Sequence, residues 1–149
     1  GPDPVPLAKA LPSRARLLLL GEQAGGRLLH LPGDLQGRVL VAYPYLPSDG
    51  TSEGRRAFHA FLKRHNLVPG PATRLAYAAA KVAVAGLEEG GRALTRRAFK
   101  DALERLYRFE TGVTPPLTFK GRHVGAFGTY VVAFDPVERT LGKARWVVP

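Results

Sequence analysis

Few residues in this chain have the type and spacing that chemistry requires. A metal site wants nitrogen, sulfur or carboxylate ligands brought together at short, regular intervals. His30, His59, His65 and His123 show no such spacing. His59 and His65 stand six apart on a helical pattern and point different ways, so all four read as surface or turn histidines. Ser13, Ser48 and Ser52 lie in no strand–turn–helix elbow that would expose a nucleophile. Gly121, Gly125 and Gly128 invite comparison with a phosphate loop. Their spacing fits neither a dinucleotide fingerprint nor a P-loop, and a strand rather than a helix follows, so they read as a turn leading into that strand. Glu88-Glu89 is a solvated helix end, and no two carboxylates are held in a recognisable acid–base arrangement. Cysteine is absent, which excludes disulfides, thiolate nucleophiles and cysteine-rich zinc sites together. The expectation is a protein that is not an enzyme and holds neither a cofactor nor a metal.

The elements that position any binding group come next. The 149 residues, 45% hydrophobic and 23% charged, suit roughly one globular domain that buries about two thirds of its unfolded surface. The longest aliphatic run, Leu17–Leu20, is far too short to cross a bilayer. No start methionine, signal peptide or lipid-attachment cysteine is present, and an opening at Gly1-Pro2 suggests a processed product or a fragment. A net charge of +10 raises the question of a polyanion partner. The basic residues are scattered, from Arg14 and Arg16 through Arg55, Arg56, Arg96, Arg97 and Arg122 to Arg139 and Arg145, with no aromatic platforms between them. A solvated arginine-rich surface is expected, and no nucleic acid.

Asp3-Pro4 reads as a capped helix start, with Val5, Leu7, Ala8 and Leu11 following at helical spacing. Residues 16–20 read as a buried strand stopped by Gly21, and Gly25-Gly26 as a loop. Residues 39–43 (Val-Leu-Val-Ala-Tyr) read as an interior strand. Pro44-Tyr45-Leu46-Pro47 cannot continue it, because each proline removes a donor and biases its predecessor away from helix. Ala57, Phe58, Phe61 and Leu62 share one helix face. A second helix should run from Pro71 to Gly90-Gly91 with a broad face of small residues, including Leu75, Ala76, Ala79, Ala83 and Gly86. The third is capped by Thr95 with Leu94 and Phe99 as a staple. Its stripe is Ala98, Phe99, Ala102, Leu103, Leu106 and Tyr107, supported by Asp101–Arg105 and Glu104–Arg108 pairs. The remainder is β: 126–134, a turn through Asp135-Pro136, and 144–148. No internal repeat or low-complexity segment is present.

One stretch is distinctive: Thr111-Gly112-Val113-Thr114-Pro115-Pro116-Leu117-Thr118-Phe119, leading through Arg122-His123-Val124-Gly125 into Tyr130-Val131-Val132-Ala133-Phe134-Asp135. A two-proline passage, an apolar patch, a glycine-spaced turn and an alternating strand make a crossing followed by a closing strand. Together with Gly1-Pro2-Asp3-Pro4, Tyr43-Pro44-Tyr45-Leu46-Pro47 and Leu75-Ala76-Tyr77-Ala78-Ala79-Ala80, this order resembles the type I periplasmic solute-binding proteins, the branched-chain amino-acid receptors of ABC importers. The match covers nearly the whole chain and only the C-terminal half of that fold.

The resemblance implies an α/β chain, the C-terminal half of a two-lobed type I periplasmic-binding fold ending in a β-hairpin. Residues 1–43 and 124–149 would belong to one lobe and 48–116 to the other, with 44–47 and 117–123 as crossings. Tyr43, Pro44, Tyr45, Pro47, Pro115 and Pro116 would serve as hinge residues. The implied function is an extracytoplasmic or periplasmic module that traps a small polar ligand, an amino acid or amide, between lobes that close on hinges. Glu22 matches by position an acidic residue that faces a ligand's ammonium group, and Ala72 and Tyr77 flank the mouth of the alanine-rich helix. The family's first half is missing. Helices 71–89 and 94–109 present apolar faces without strands to cover them, and faces of that size are not left open in soluble monomers. The implied partner is therefore that half, as part of a longer chain, a separate chain or a swapped copy, together with the importer's membrane subunits. The alternatives are a ligand-sensing regulatory domain of the same fold and a basic nucleic-acid-binding protein.

Overall fold

A computed structural model describes residues 3–148. Gly1 and Pro2, read above with the first helix start, lie outside the described residues. The chain divides into two compact units, Gly1–Pro44 with Gly128–Pro149, and Tyr45–Phe127.

The first unit is a sheet with helical turns packed on one face. Helix α1 (Pro4–Lys9) begins where Asp3 accepts a hydrogen bond from the Val5 N–H at 3.0 Å, with Pro4 just inside the cap. Strand β1 (Leu17–Leu20) lies parallel to β2 (Val39–Tyr43), with Leu17 opposite Val39. Between them run α2 (Gly21–Ala24) and 3₁₀ turns at Gly25–His30 and Gly33–Leu35. Strand β3 (Thr129–Asp135) is antiparallel to β2, with Val39 opposite Phe134 and Tyr43 opposite Tyr130. The closing segments β4 (Thr140–Leu141) and β5 (Arg145–Val147) then pair with opposite ends of β3. The core gathers Leu17, Val39, Val41 and Phe134 from the sheet against Ala8, Ala24, Leu28, Leu31 and Leu35.

Two local readings change here. Strand β1 is not buried throughout, because it ends the order β1-β2-β3-β4 and packs on one face only. Leu17 is buried, while Leu18 is 63% and Leu20 52% exposed. Gly25-Gly26 opens a 3₁₀ turn rather than a loop, and the turn carries Leu28 into the core. Strand β2 is interior as expected, parallel to one neighbour and antiparallel to the other.

The second unit is helical. Helix α3 (Ser52–Arg64) is capped by Thr51 and α5 (Arg96–Arg105) by Thr95, each accepting from a backbone N–H three residues on. Helix α4 (Pro71–Gly90) packs on a different face from the one anticipated: Ala76, Ala79, Ala83 and Leu87 are exposed, while Ala78 and Gly86 are buried, and a Cβ on Gly86 would sit 2.6 Å from a Leu103 methyl and 2.9 Å from the Phe99 ring. Phe58, Leu62, Ala78 and Val113 form the core, with Tyr77 packed against it.

Helix α5 stops one turn short of the sequence reading. Leu106 is extended, Tyr107 is 67% exposed and Arg108 has φ +49°. The cause is competition for backbone partners. Phe109 and Leu117 exchange N–H···O bonds of 2.7 and 2.9 Å, the Leu106 carbonyl accepts from Phe119, and the Arg108 N–H donates to Thr118 Oγ1. The missing turn removes the anticipated Glu104–Arg108 pair; Asp101–Arg105, though inside α5, is also replaced, and the pairs formed are Arg97–Asp101 at 3.9 Å, Lys100–Glu104 at 3.0 Å and Arg105–Glu89 at 3.1 Å.

Folded chains of this mass, 16.1 kDa, expose about 7,400 Å² as one body and about 8,900 Å² as two separate bodies. This chain exposes 10044 Å². Its surface is excessive even by the two-body measure, and Leu18, Leu20, Val68, Val84, Leu87 and Phe127 are among the apolar side chains at least 46% exposed.

Candidate functional site

Glu22 follows the carboxyl end of β1, and Tyr43 ends the parallel neighbour β2. Ligands of open α/β sheets bind outside the carboxyl ends of parallel strands, so these two residues stand at the end of the sheet where such chemistry occurs. The corner is built tightly. A Cβ on Gly21 would lie 2.0 Å from the Tyr43 ring, so only glycine lets the chain turn there. Thr129 Oγ1 donates to the Tyr43 carbonyl at 2.9 Å, fixing the start of β3 to the end of β2. Burial raises the Tyr43 phenol above its ordinary value. Glu22 is half-buried. At the other end of β3, Asp135 has its carboxyl lowered by the Gln36 side-chain amide at 3.0 Å, helped by the Glu138 and Val137 N–H groups.

The second unit holds Tyr45, Ala72 and Tyr77. Tyr45 is buried and its hydroxyl donates to the Pro71 carbonyl at 2.8 Å, tying the segment after β2 to the start of α4. Ala72 is exposed in the first turn of α4. Tyr77 stacks between Phe58 and Phe61, each centroid 5.1 Å away. Five residues separate Ala72 from Tyr77, about 140° around a helix, so they do not share a face. Pro44 is half-buried and Pro47, exposed, opens a 3₁₀ turn held by Asp49 Oδ2 accepting from the Leu46 N–H. Pro115 is partly buried and Pro116 exposed.

Two features escaped the sequence reading. Residues 111–114 form a buried polar knot. Thr111 Oγ1 lies 2.6 Å from Thr114 Oγ1 and accepts from the Val113 and Thr114 N–H groups. Lys81 Nζ donates to the Thr111 carbonyl at 3.0 Å. The knot docks on the start of α3: the Thr51 N–H donates to the Gly112 carbonyl, and a Cβ on Gly54 would lie 2.1 Å from that oxygen. The Thr-x-x-Thr spacing was the available signal. The second feature is Arg74. Its guanidinium lies 5.3 Å from the Tyr45 ring centre and 5.7 Å from that of Phe58, and its buried Nη1 has no hydrogen-bond partner. Two aromatic faces carry this cation; nothing in an alanine-rich helix announces it.

What these groups can do chemically is donate and accept hydrogen bonds. Among the described residues no three of His, Asp and Glu gather to hold a metal ion, and no helix is long and apolar enough to cross a membrane.

No protein-family model matches the chain, and no curated protein is similar to it in sequence. Among solved structures, a fatty acid ABC transporter substrate-binding protein from Thermomonospora curvata is similar over 96% of this chain, with a TM-score of 0.62 at 20% identity. The chain spans 38% of that structure's length. The α/β fold of this chain is therefore similar to that of part of this substrate-binding protein.

Proposed function

We propose that the chain is part of an extracytoplasmic solute-binding protein that delivers a small ligand to an ABC importer. The observation that carries this reading is the likeness of 96% of the chain to a substrate-binding protein of such an importer. In this reading residues 1–43 and 124–149 belong to one lobe and 48–116 to the other. Tyr43, Pro44, Tyr45 and Pro47 serve one crossing; Pro115 and Pro116 lead into the other. Prolines restrict these passages to few conformations, which suits hinges that swing between defined states. The remaining polypeptide of the fold completes both lobes, and the importer's membrane subunits receive the closed form.

The ligand is a small polar molecule, an amino acid or amide. In this reading Glu22 receives its ammonium group, and Ala72 and Tyr77 are the further candidate contacts. Fatty acid is the cargo named for the similar structure, so both chemistries belong in the test. That test is titration calorimetry of the protein purified from the cells that make it, against free amino acids, their amides and, separately, fatty acids. The expected result is saturable binding of a member of the polar panel, weakened roughly tenfold (about 1.4 kcal/mol) by Glu22→Gln. Binding confined to fatty acids, indifferent to Glu22→Gln, would overturn the polar-ligand assignment and leave the solute-binding role. No binding from either panel would overturn both.

A further inference from the structure

Three short segments of the second unit are bonded side by side. The Leu106 carbonyl accepts from the Phe119 N–H at 3.0 Å, and Thr118 Oγ1 accepts from the Arg108 N–H at 3.0 Å. The Thr118 N–H donates to the Gly125 carbonyl at 2.8 Å, and the Arg122 N–H to the Phe119 carbonyl at 2.7 Å. The turn is closed tightly: a Cβ on Gly125 would lie 2.5 Å from the Phe119 ring. These bonds hold together the backbone that bears Tyr107, Arg108, Lys120, Arg122, Val124 and Phe127, and all six are exposed. The apolar members, Tyr107, Val124 and Phe127, are 67%, 59% and 54% exposed. Residues 106–109 and 117–127 include no Asp or Glu. Among the described residues, Arg108, Lys120 and Arg122 enter no ion pair. Arg122 instead sets its guanidinium 5.0 Å from the Phe127 ring centre.

We infer that this basic, aromatic patch docks on the headgroup layer of an anionic lipid bilayer. Aromatic rings favour the depth between headgroups and acyl chains, and anionic headgroups attract lysine and arginine held near the surface. The patch supplies both: Tyr107, Val124 and Phe127 for shallow insertion, and Arg108, Lys120 and Arg122 for the headgroups around them. The contact is peripheral, since no described helix is long and apolar enough to span a membrane. Two rival occupants fit less well. A second copy would bring cations against cations on a chain of net charge +10. A nucleic acid needs open ring faces on which its bases stack. Here Arg122 lies over a face of Phe127, and the aliphatic Val124 offers a base no stacking surface. The docking surface stands whether or not the chain traps a solute.

The experiment is co-sedimentation of the protein, purified from the cells that make it, with lipid vesicles. One set is phosphatidylcholine alone, and the other is phosphatidylcholine mixed equally with phosphatidylglycerol. Binding should be about tenfold or more stronger to the anionic set, and Lys120→Glu with Arg122→Glu should weaken it by about tenfold. Val124→Ser, at an exposed turn position, should weaken it about fivefold with the circular dichroism spectrum unchanged. Lys143→Glu with Arg145→Glu makes the same change in net charge at exposed positions of the first unit, and should weaken it less than about twofold. Equal weakening by the two charge pairs overturns the inference, because net charge alone would then account for adsorption. So does the absence of vesicle binding, or indifference to Val124→Ser. Binding of a DNA duplex as tight as that of the anionic vesicles, and lost with Lys120→Glu and Arg122→Glu, overturns the lipid assignment.

Discussion

Gly54 shows how closely single residues are bound by their surroundings. In an exposed helix, alanine in place of glycine gains about 1 kcal/mol. At Gly54 the added methyl would lie 2.1 Å from the Gly112 carbonyl oxygen, a backbone atom that cannot rotate away. Gly54→Ala should therefore lower stability by about 2 kcal/mol or more despite its better helix propensity, measured by urea unfolding. Thr111→Val leaves the buried Val113 and Thr114 N–H groups without their acceptor. It should lose about 1–3 kcal/mol, with Thr111→Ser retaining most of the stability. Asp135 sets a pH dependence. Its folded carboxyl is lowered from the ordinary 3.8, chiefly by Gln36. The contribution is therefore full above pH 3.8 and disappears as pH falls through the lower folded value. The melting-temperature gap between the native chain and Asp135→Ala should be present at pH 6 and vanish in strong acid.

At the scale of elements, caps decide where helices begin. Thr95 accepts from the Ala98 N–H at 3.0 Å, so Thr95→Ala should destabilise α5 by about 1 kcal/mol in thermal unfolding. Such features were legible because they are local: Asp3, Thr95, the span of α4 and the strand at 39–43 follow from neighbouring residues alone. The end of α5 was not. Its stripe continued through Leu106 and Tyr107, but residues 117–119, eight to thirteen positions from their partners, take the backbone groups a further turn needed. The exposed face of β1 was hidden for the same reason, since four leucines in a row carry no alternation to read. Of the proposed site, Glu22 and Tyr77 were named from their position in the resemblance. Arg74 between its two rings and the fit of Gly21 to Tyr43 depend on contacts no local window contains.

At the scale of the molecule, the sums of burial do not close within this chain. Its two cores are small, and its surface exceeds what two independent bodies of its mass would expose. The fold it matches is larger than the chain. A solute-trapping role requires the rest of that fold, because a cleft needs both walls complete before closure can exclude water from a ligand. The most direct measurement is the molar mass, by light scattering on a sizing column, of the particle that contains these residues when taken from the cells that make it. The account predicts a particle clearly heavier than 16.1 kDa, the mass of this sequence. A monodisperse 16.1 kDa monomer that unfolds cooperatively, with Leu18 and Leu20 open to solvent, would contradict it.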